Sequence, residues 1–412
     1  LGTDQWIRIL KETGFKRVVV VVKHHDGFVL YPSRYSDYTV AASPWRDGKG
    51  DLLAEISRSA SRYDMDLGLY LSPWDAHSPL YHIDTQEAYN EYYQKQLEEI
   101  LSNPLYGNKG KFVEIWMDGA RGEGAQKLTY DFGCWFETIR HYQKDALIFS
   151  TEATELRWIG NERGRAGDPL WQKIQPEKLS ENTPATYLCH GDPQGTQYSL
   201  GEADVSLRSG WFYHASQQPK SLADLLDIYM DSVGRGTPLL LNVPPTKEGL
   251  LAEEDVQRLQ EFHQVISDLY TDNLAYQAKV SCSNEKEGFP SSHLTDGRED
   301  TFWAPASDES VYVLEIDLGQ IRSFNLVEIQ EPISKGQRIA GFTLEVKQET
   351  GWTDFARGQT IGYKRLLLGQ MVEVRYLRLI LTDFQALPLL NKFAVYKTPV
   401  VLEKKKNGCW FR

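Results

Sequence analysis

The chain has 412 residues, 41% of them hydrophobic, which is enough for a large core and suggests two or three domains. A formal net charge of −12 argues against nucleic acid or an anionic membrane surface as a partner. No apolar run approaches the roughly 20 residues that span a bilayer, and the four cysteines form neither a CxxC pair nor a disulfide framework. We therefore expect a soluble protein, either cytoplasmic or exported to the cell surface or beyond.

Strands and helices alternate over the first 270 residues. A helix over 4–14 precedes the β-branched run 18–22, which is typical of a strand buried on both faces. Further apolar runs predict strands at 67–71, 112–117, 147–150 and 239–241, and helices are predicted at 52–63, 85–101, 220–233 and 253–270. The pattern indicates parallel βα units forming a (β/α)8-like barrel domain over 1–272. A barrel begins with a strand, so we expect the first strand to precede Leu1.

The pattern of apolar and polar residues changes after the predicted helix that ends near residue 270. Short segments of alternating polarity, separated by turns, occupy 311–316, 342–346 and 374–381. This pattern predicts an all-β sandwich of jelly-roll type over 278–398. The lysine-rich stretch at 399–412 is interpreted as a solvated tail.

Polar residues follow several predicted strands, at the end of a βα barrel where active sites lie. They are the segments 23–28 (K-H-H-D-G-F) and 72–75 (S-P-W-D), and the carboxyl residues Asp118 and Glu152. Carboxylates beside aromatic rings favour glycoside hydrolysis, in which two carboxyl groups flank the scissile bond. His24 and His25 raise a metal-site alternative, but neighbouring strand residues point to opposite faces and a His-x-His spacing is absent, so we predict no metal there.

Five motifs in chain order resemble the signatures of the α-L-fucosidases of glycoside hydrolase family 29. They are K-H-H-D-G-F at 23–28, L-Y-L-S at 69–72, W-M-D-G at 116–119, G-W-F-Y at 210–213 and L-N-V-P-P at 241–245. The segment 158–164 (W-I-G-N-E-R-G) resembles the subgroup that removes α-1,3/1,4-linked fucose from Lewis-type glycans. The resemblance implies a retaining exo-hydrolase acting on fucosylated oligosaccharides or glycoconjugates, and we expect a bacterial source.

The resemblance also implies the two catalytic carboxyl groups. Asp118 is the expected nucleophile, with the alternative that it merely caps the turn that follows it. Glu162 is the expected general acid/base, with Glu152 and Glu155 as competitors and an exposed, ion-paired loop residue as the alternative reading.

A fucose pocket follows from the same resemblance. His24 and His25 are expected to hydrogen-bond sugar hydroxyls, and three aromatic residues are expected to line the pocket unless they are core residues: Tyr70, Trp116 and Trp211. Trp74, Asp75 and Trp171 are expected to contact the aglycone. We expect Glu202 and Asp204 to support the pocket residues without contacting the sugar themselves. The family's first strand supplies a further pocket histidine, which has no counterpart in this sequence.

The segment 296–303 (D-G-R-E-D-T-F-W) resembles the Asp-Gly turn of discoidin-like sandwiches, the F5/8 type C domains. Many of these are carbohydrate-binding modules with a structural calcium ion, for which Asp296 and Thr301 are the candidate ligands. Lys392 stands where a ligating glutamate is usual, so we expect no cofactor and favour a domain that braces the barrel. A non-catalytic carbohydrate-binding protein on a degenerate barrel is the second hypothesis, and a metal-dependent hydrolase is the third.

Overall fold

The structure, a computed structural model, describes residues 2–121 and 128–399. Seven α-helices lie in these residues: α1 (Thr3–Glu12), α2 (Leu52–Tyr63), α3 (Gln86–Leu101), α4 (Phe132–Tyr142), α5 (Ala185–His190), α6 (Leu222–Asp231) and α7 (Glu253–Leu269). The strands of the first 270 residues are β1 (Arg17–Lys23), β2 (Asp66–Leu71), β3 (Glu114–Trp116), β4 (Leu147–Phe149), β5 (Leu156–Trp158), β6 (Lys173–Ile174), β7 (Gln197–Tyr198), β8 (Leu200–Ser206) and β9 (Leu239–Asn242). Among these helices, none has the length and apolar character of a membrane span. Of the predicted tail, residues 400–412 lie outside the described residues.

Seven strands form one sheet in the order β1-β2-β3-β4-β5-β8-β9, and every neighbouring pair is parallel. The predicted parallel βα units are therefore confirmed. Strands β6 and β7 form a separate antiparallel pair. Val19 of the edge strand β1 and Leu240 of the opposite edge strand β9 pack against one shared cluster, so the sheet curves around it. The two edges do not pair with each other in the described residues, and closure into a barrel stays a prediction.

Strand β1 was predicted to be buried on both faces, but one of its faces is partly exposed. Val20 and Val22 are buried against the helices, whereas Val21 is 40% exposed although it lies in register with the buried Tyr70 of β2. The cause is the position of β1 at the sheet edge, where a side chain has neighbours on one flank only.

Three aromatic rings form a layer at the carboxyl ends of adjacent strands. Tyr70, Trp116 and Phe149 lie in register on β2, β3 and β4. The Trp116 and Phe149 rings stack with centroids 3.7 Å apart, and those of Tyr70 and Trp116 are 5.4 Å apart. The opposite face of the same strands packs Leu69, Ile115 and other apolar residues against the helices. The concave face of the sheet therefore carries a layer of stacked aromatic rings, called here the aromatic floor.

The second domain is an antiparallel sandwich built from six strands: β10 (Lys279–Cys282), β11 (Tyr312–Gln330), β12 (Ile339–Gln348), β13 (Gly351–Gly358), β14 (Arg365–Phe384) and β15 (Lys392–Tyr396). The strand order is β10-β11-β14-β12-β13, and β15 pairs with β11. Alternate residues such as Leu314, Ile316, Leu377 and Leu379 form its core, as the alternation in the sequence predicts. Ala275 already belongs to this core.

The two domains share a packed interface. Leu226 and Leu269, from α6 and α7, contact Leu326 and Leu366 of the sandwich in one apolar cluster. Polar contacts flank the cluster, including an ion pair of 2.6 Å between Asp168 and Arg365. Buried apolar contact of this kind resists domain motion, which supports the expectation that the sandwich braces the sheet.

Candidate active site

Asp118 follows the end of β3 and is held by two hydrogen bonds. Its Oδ1 accepts from the backbone N–H of Ala120 at 2.8 Å, and its Oδ2 accepts from the hydroxyl of Tyr70 at 2.7 Å. The first bond is the turn cap considered as an alternative, while the second directs the other oxygen toward the aromatic floor. The turn cap does not conflict with the predicted role as nucleophile, because it uses only one of the two carboxylate oxygens.

Tyr70 acts as a fixed donor to this carboxylate. Burial, and next to it the negative charge of Asp118, raise the pKa of the Tyr70 hydroxyl well above its ordinary value. The hydroxyl therefore keeps its proton throughout the range in which enzymes work. A carboxylate that accepts both this hydrogen bond and a backbone one is preorganised in a single orientation.

His25 is held in one tautomer by its neighbours. The Ser72 hydroxyl gives its only hydrogen to the carbonyl oxygen of Trp74 at 2.8 Å, so it accepts at 2.8 Å from the N–H of His25 Nδ1. The indole of Trp74 stacks on the imidazole with centroids 4.7 Å apart. The other ring nitrogen, Nε2, lies 3.6 Å from Asp118 Oδ2. A neutral His25 therefore presents an acceptor beside the carboxylate, suited to a sugar hydroxyl.

His24 lies beside His25 because β1 ends at Lys23, after which strand alternation no longer separates neighbouring side chains. Burial lowers the pKa of both histidines, more than the charge of Asp118 raises it, so both are neutral near pH 7. The His24 ring is parallel to that of Tyr70 at 5.7 Å and meets the edge of Phe212 at 5.2 Å. Phe212 is 60% exposed and was not among the predicted pocket residues, although it lies in the G-W-F-Y segment that signalled this loop.

Trp116 has little surface left for the expected contact with the sugar. Tyr70 covers one flank of the indole and Phe149 the other, and only 7% of the residue is exposed. A pyranose cannot lie on an indole face that is already covered, so Trp116 can offer only its edge. Trp211, which precedes Phe212 in the chain, is 37% exposed, and its carbonyl oxygen accepts from the Asn242 amide at 2.9 Å.

The loop that carries Glu162 is tied to β8. The backbone N–H of Gly164 donates to the carbonyl oxygen of Asp204 at 2.9 Å, and the indole N–H of Trp158 donates to Asp204 Oδ1 at 2.8 Å. Burial, followed by the charges of Glu162 and Asp118, raises the pKa of Asp204 to about 7. Both expected catalytic carboxylates therefore lie within electrostatic range of this one buried group. The Glu162 side chain itself is exposed to solvent.

The two competing glutamates have other environments. Glu155 is used structurally, since it pairs with Arg140 and its Oε2 accepts from the N–H of Ile148 at 2.8 Å. Burial and the charge of Glu181 raise the pKa of Glu152, a property that suits an acid. The glutamate whose charge acts on Asp204 together with that of Asp118 is Glu162, and this favours Glu162 as the partner of Asp118.

Two residues expected to contact the aglycone are buried elsewhere, and that expectation was wrong for both. The Asp75 carboxylate is 1% exposed and pairs with the buried ammonium of Lys23 at 3.3 Å, beneath the His25 loop. Trp171 is buried, with its backbone N–H donating to His190 and its carbonyl oxygen accepting from Arg157. Trp74 is half-buried and packs on His25, so its expected contact with the aglycone stays a prediction.

No cluster of three or more histidine, cysteine, aspartate or glutamate residues with the spacing of a metal site occurs in the described residues. In the sandwich, Asp296 Oδ2 accepts from the Thr301 hydroxyl at 2.8 Å and Oδ1 accepts from the N–H of Arg298 at 2.8 Å. Lys392 pairs with Glu328 at 3.2 Å. The two candidate calcium ligands are therefore hydrogen-bonded to each other.

Comparison with known proteins matches both halves of the chain. The family model for α-L-fucosidases matches residues 2–267, and that for F5/8 type C domains matches residues 277–389. The chain is 40% identical to α-L-fucosidase 1 of Arabidopsis thaliana over 406 residues, which cover 96% of this chain and 78% of that protein. It is similar to the crystal structure of SpGH29, with a TM-score of 0.95 and 57% identity over 97% of this chain and 89% of that one. A Ruminococcus gnavus GH29 fucosidase in complex with fucose gives a TM-score of 0.89 at 36% identity, over 97% and 86% of the two chains.

Proposed function

Because the chain belongs to the α-L-fucosidases of glycoside hydrolase family 29, we propose that it removes terminal α-1,3/1,4-linked L-fucose from Lewis-type glycans with retention of configuration. The observation that carries this proposal is the Asp118 carboxylate, oriented by Tyr70 and flanked by His25 at the end of β3. A non-catalytic sugar-binding protein has no need of a carboxylate preorganised in this way. The family membership also argues against that second hypothesis.

The proposed reaction has two steps. In the first, an oxygen of Asp118 attacks the anomeric carbon and forms a fucosyl ester, while Glu162 gives its proton to the departing glycosidic oxygen. In the second, Glu162 takes a proton from water, whose oxygen attacks the same carbon and releases the Asp118 carboxylate. Two inversions give net retention, and each step leaves Glu162 in the protonation state that the next one requires.

The surroundings of Asp118 support this chemistry. The Tyr70 hydroxyl and the Ala120 N–H hold the carboxylate in one orientation, which lowers the entropic cost of attack. The neutral histidines offer hydrogen-bonding nitrogens to fucose hydroxyls without neutralising the nucleophile. These roles need only side chains of the chain, and we propose that catalysis requires no cofactor.

The aromatic residues around the opening support a branched substrate. Trp74 packs on His25 and the exposed Phe212 on His24, and the exposed Trp211 precedes Phe212 in the chain. The apolar faces of neighbouring sugars can pack on such rings. The 158–164 segment, which carries Glu162, supports the α-1,3/1,4 preference through its resemblance to that subgroup. The solved relatives include proteins of Ruminococcus and Bacteroides, and a bacterial source stays our proposal.

The direct test compares Lewis trisaccharides with a simple aryl α-L-fucoside. We expect a higher kcat/KM on the trisaccharides, because the aglycone then contributes contacts at the rim. Equal or better turnover of the aryl fucoside would reject the α-1,3/1,4 assignment while leaving the fucosidase activity in place.

A second test separates the roles of the two carboxyl groups. Glu162→Ala should slow fucosides with poor leaving groups far more than activated aryl ones, by about 10²- to 10⁴-fold, since only the former need the proton. Glu152→Ala is the matched control and should not discriminate between leaving groups. The reverse pattern would move the acid/base to Glu152.

A further inference from the structure

Two buried carboxyl groups face each other beneath the aromatic floor, on strands that are not neighbours. Glu114 lies on β3 and Glu202 on β8, and both are buried. They meet because the sheet curves. The indole N–H of Trp116, two residues after Glu114, donates to Glu202 Oε1 at 2.7 Å. The pair therefore lies directly under a residue of the pocket.

The hydrogen bonds of the pair leave one acceptor unmatched. Glu114 Oε2 accepts from the Arg17 guanidinium at 2.8 Å, so the negative charge of the pair is held there. Glu114 Oε1 is fully buried and has no donor among the described residues. An unmatched buried carboxylate oxygen is costly, and a proton on the second oxygen of Glu202 would supply the missing donor.

We propose that Glu202 is a positioning residue of the fucose pocket, whose protonated carboxyl donates to Glu114 and accepts from the indole of Trp116. The bond pattern uses every polar atom of the pair: Arg17 to Glu114 Oε2, Glu202 Oε2–H to Glu114 Oε1, and Trp116 Nε1–H to Glu202 Oε1. It links strands β1, β3 and β8 across the inside of the curved sheet.

The electrostatics agree with this arrangement. Burial, and after it the charge of Glu114, raise the pKa of Glu202 well above its ordinary value, with Arg17 opposing. The charged groups that face Glu202 are Glu114 from β3 and Arg17 from β1, while Asp204 lies two residues along its own strand.

The pocket depends on this pair through Trp116. The indole stacks against Tyr70, and the Tyr70 hydroxyl orients Asp118. A shift of the indole would therefore move the donor that holds the nucleophile. Displacements of about 1 Å can cost roughly 10²-fold in rate. The inference rests on the proposed role of Asp118.

An isosteric amide tests the proposal. In Glu202→Gln the amide nitrogen can donate to Glu114 and the amide oxygen can accept from Trp116, so the variant reproduces a protonated carboxyl group. We expect its kcat/KM to stay within roughly 3-fold of wild type, whereas Glu202→Ala should lose about 10- to 100-fold. Asp118→Asn is the matched control for a carboxyl-to-amide change, and should lose roughly three orders of magnitude or more.

The pH dependence of the Tm distinguishes a protonated Glu202 from a residue that contributes packing alone, because a change in packing has the same effect at every pH. Below about pH 4.5 Glu202 is neutral in both the folded and the unfolded chain. Above it, the unfolded chain loses the proton and the folded protein retains it, so wild-type stability falls with rising pH. Glu202→Gln lacks this titration, and its Tm should rise relative to wild type between pH 5 and pH 8.

Three results would overturn the proposal. The first is an activity of Glu202→Gln as low as that of Glu202→Ala, and the second is a Tm difference between Glu202→Gln and wild type that does not change with pH. The third is full activity in Glu202→Ala. An active Asp118→Asn would instead reject the proposed nucleophile, so the two failures are distinguishable.

Discussion

Lys23 provides the sharpest stability prediction, because its ammonium group is buried beneath the pocket. The Nζ atom lies 3.3 Å from Asp75 Oδ2 and 2.9 Å from Gln96 Oε1, and neither charged side chain has more than 1% exposure. The backbone carbonyls of Lys23 and His25 also accept from the N–H groups of Ser72 and Ala76. The ion pair and these hydrogen bonds together join the loop that carries His25 to the loop that carries Trp74.

Lys23→Met keeps the volume of the side chain but leaves the Asp75 carboxylate buried without its cation. Breaking a buried ion pair in this way costs about 3–5 kcal/mol. Asp75 retains hydrogen bonds from Tyr92, His77 and Ser78, so we expect the lower end, ~3 kcal/mol. At about 2 °C for each kcal/mol in a domain of this size, the Tm should fall by ~6 °C.

The assay is thermal unfolding followed by circular dichroism, with Arg8→Met as the matched control. Arg8 pairs with Glu12 on the surface, with 46% and 55% of their side chains exposed. Exposed pairs contribute about 0–1 kcal/mol. Lys23→Met with Asp75→Asn should recover part of the loss, since the unpaired charge is then gone. A Tm for Lys23→Met equal to that of the Arg8→Met control would show that the buried pair does not stabilise the fold.

Three further outcomes follow from the site. The pKa of Asp204 is raised from 3.8 to about 7, so the folded protein holds a proton that the unfolded chain releases above pH 4. The free energy of unfolding of Asp204→Asn should therefore rise by up to ~4 kcal/mol relative to that of wild type between pH 4 and pH 8, as measured by denaturant titration. A difference that stays constant over this pH range would contradict the prediction. Trp74→Ala should raise KM for fucosides, since the stack on His25 is lost, and an unchanged KM would exclude that contact from binding. Dialysis against EDTA should leave kcat unchanged, and a Tm that rises on adding Ca²⁺ would indicate an ion at Asp296.

The sequence predicted the regular elements best where apolar periodicity was undisturbed. The predicted bounds of α2 match the structure, and Asp51 caps that helix by accepting from the N–H of Ala54 at 2.9 Å. The family, the parallel units and the sandwich were likewise predicted and confirmed. These features depend on local pattern or on contiguous motifs, which a sequence displays directly.

Strands β5 and β8 were missed as strands because their buried positions are polar. Arg157 lies in the centre of β5, and Glu202 and Asp204 lie within β8. A strand prediction from hydrophobic periodicity requires apolar residues at these positions. Their burial depends on partners from distant parts of the chain, such as Trp116 and Trp158. The burial of Asp75 escaped prediction for the same reason, since its partner Lys23 lies 52 residues away.

Trapping the proposed covalent ester between Asp118 and fucose would identify the nucleophile chemically. The protein is incubated with 2-deoxy-2-fluoro-L-fucosyl fluoride, digested and analysed by mass spectrometry, while the configuration of freshly released fucose is followed by NMR. We predict that the 2-fluorofucosyl label is found on Asp118 and that the first product is α-L-fucose. A label on another carboxylate, or an unlabelled protein that releases β-L-fucose, would contradict the account.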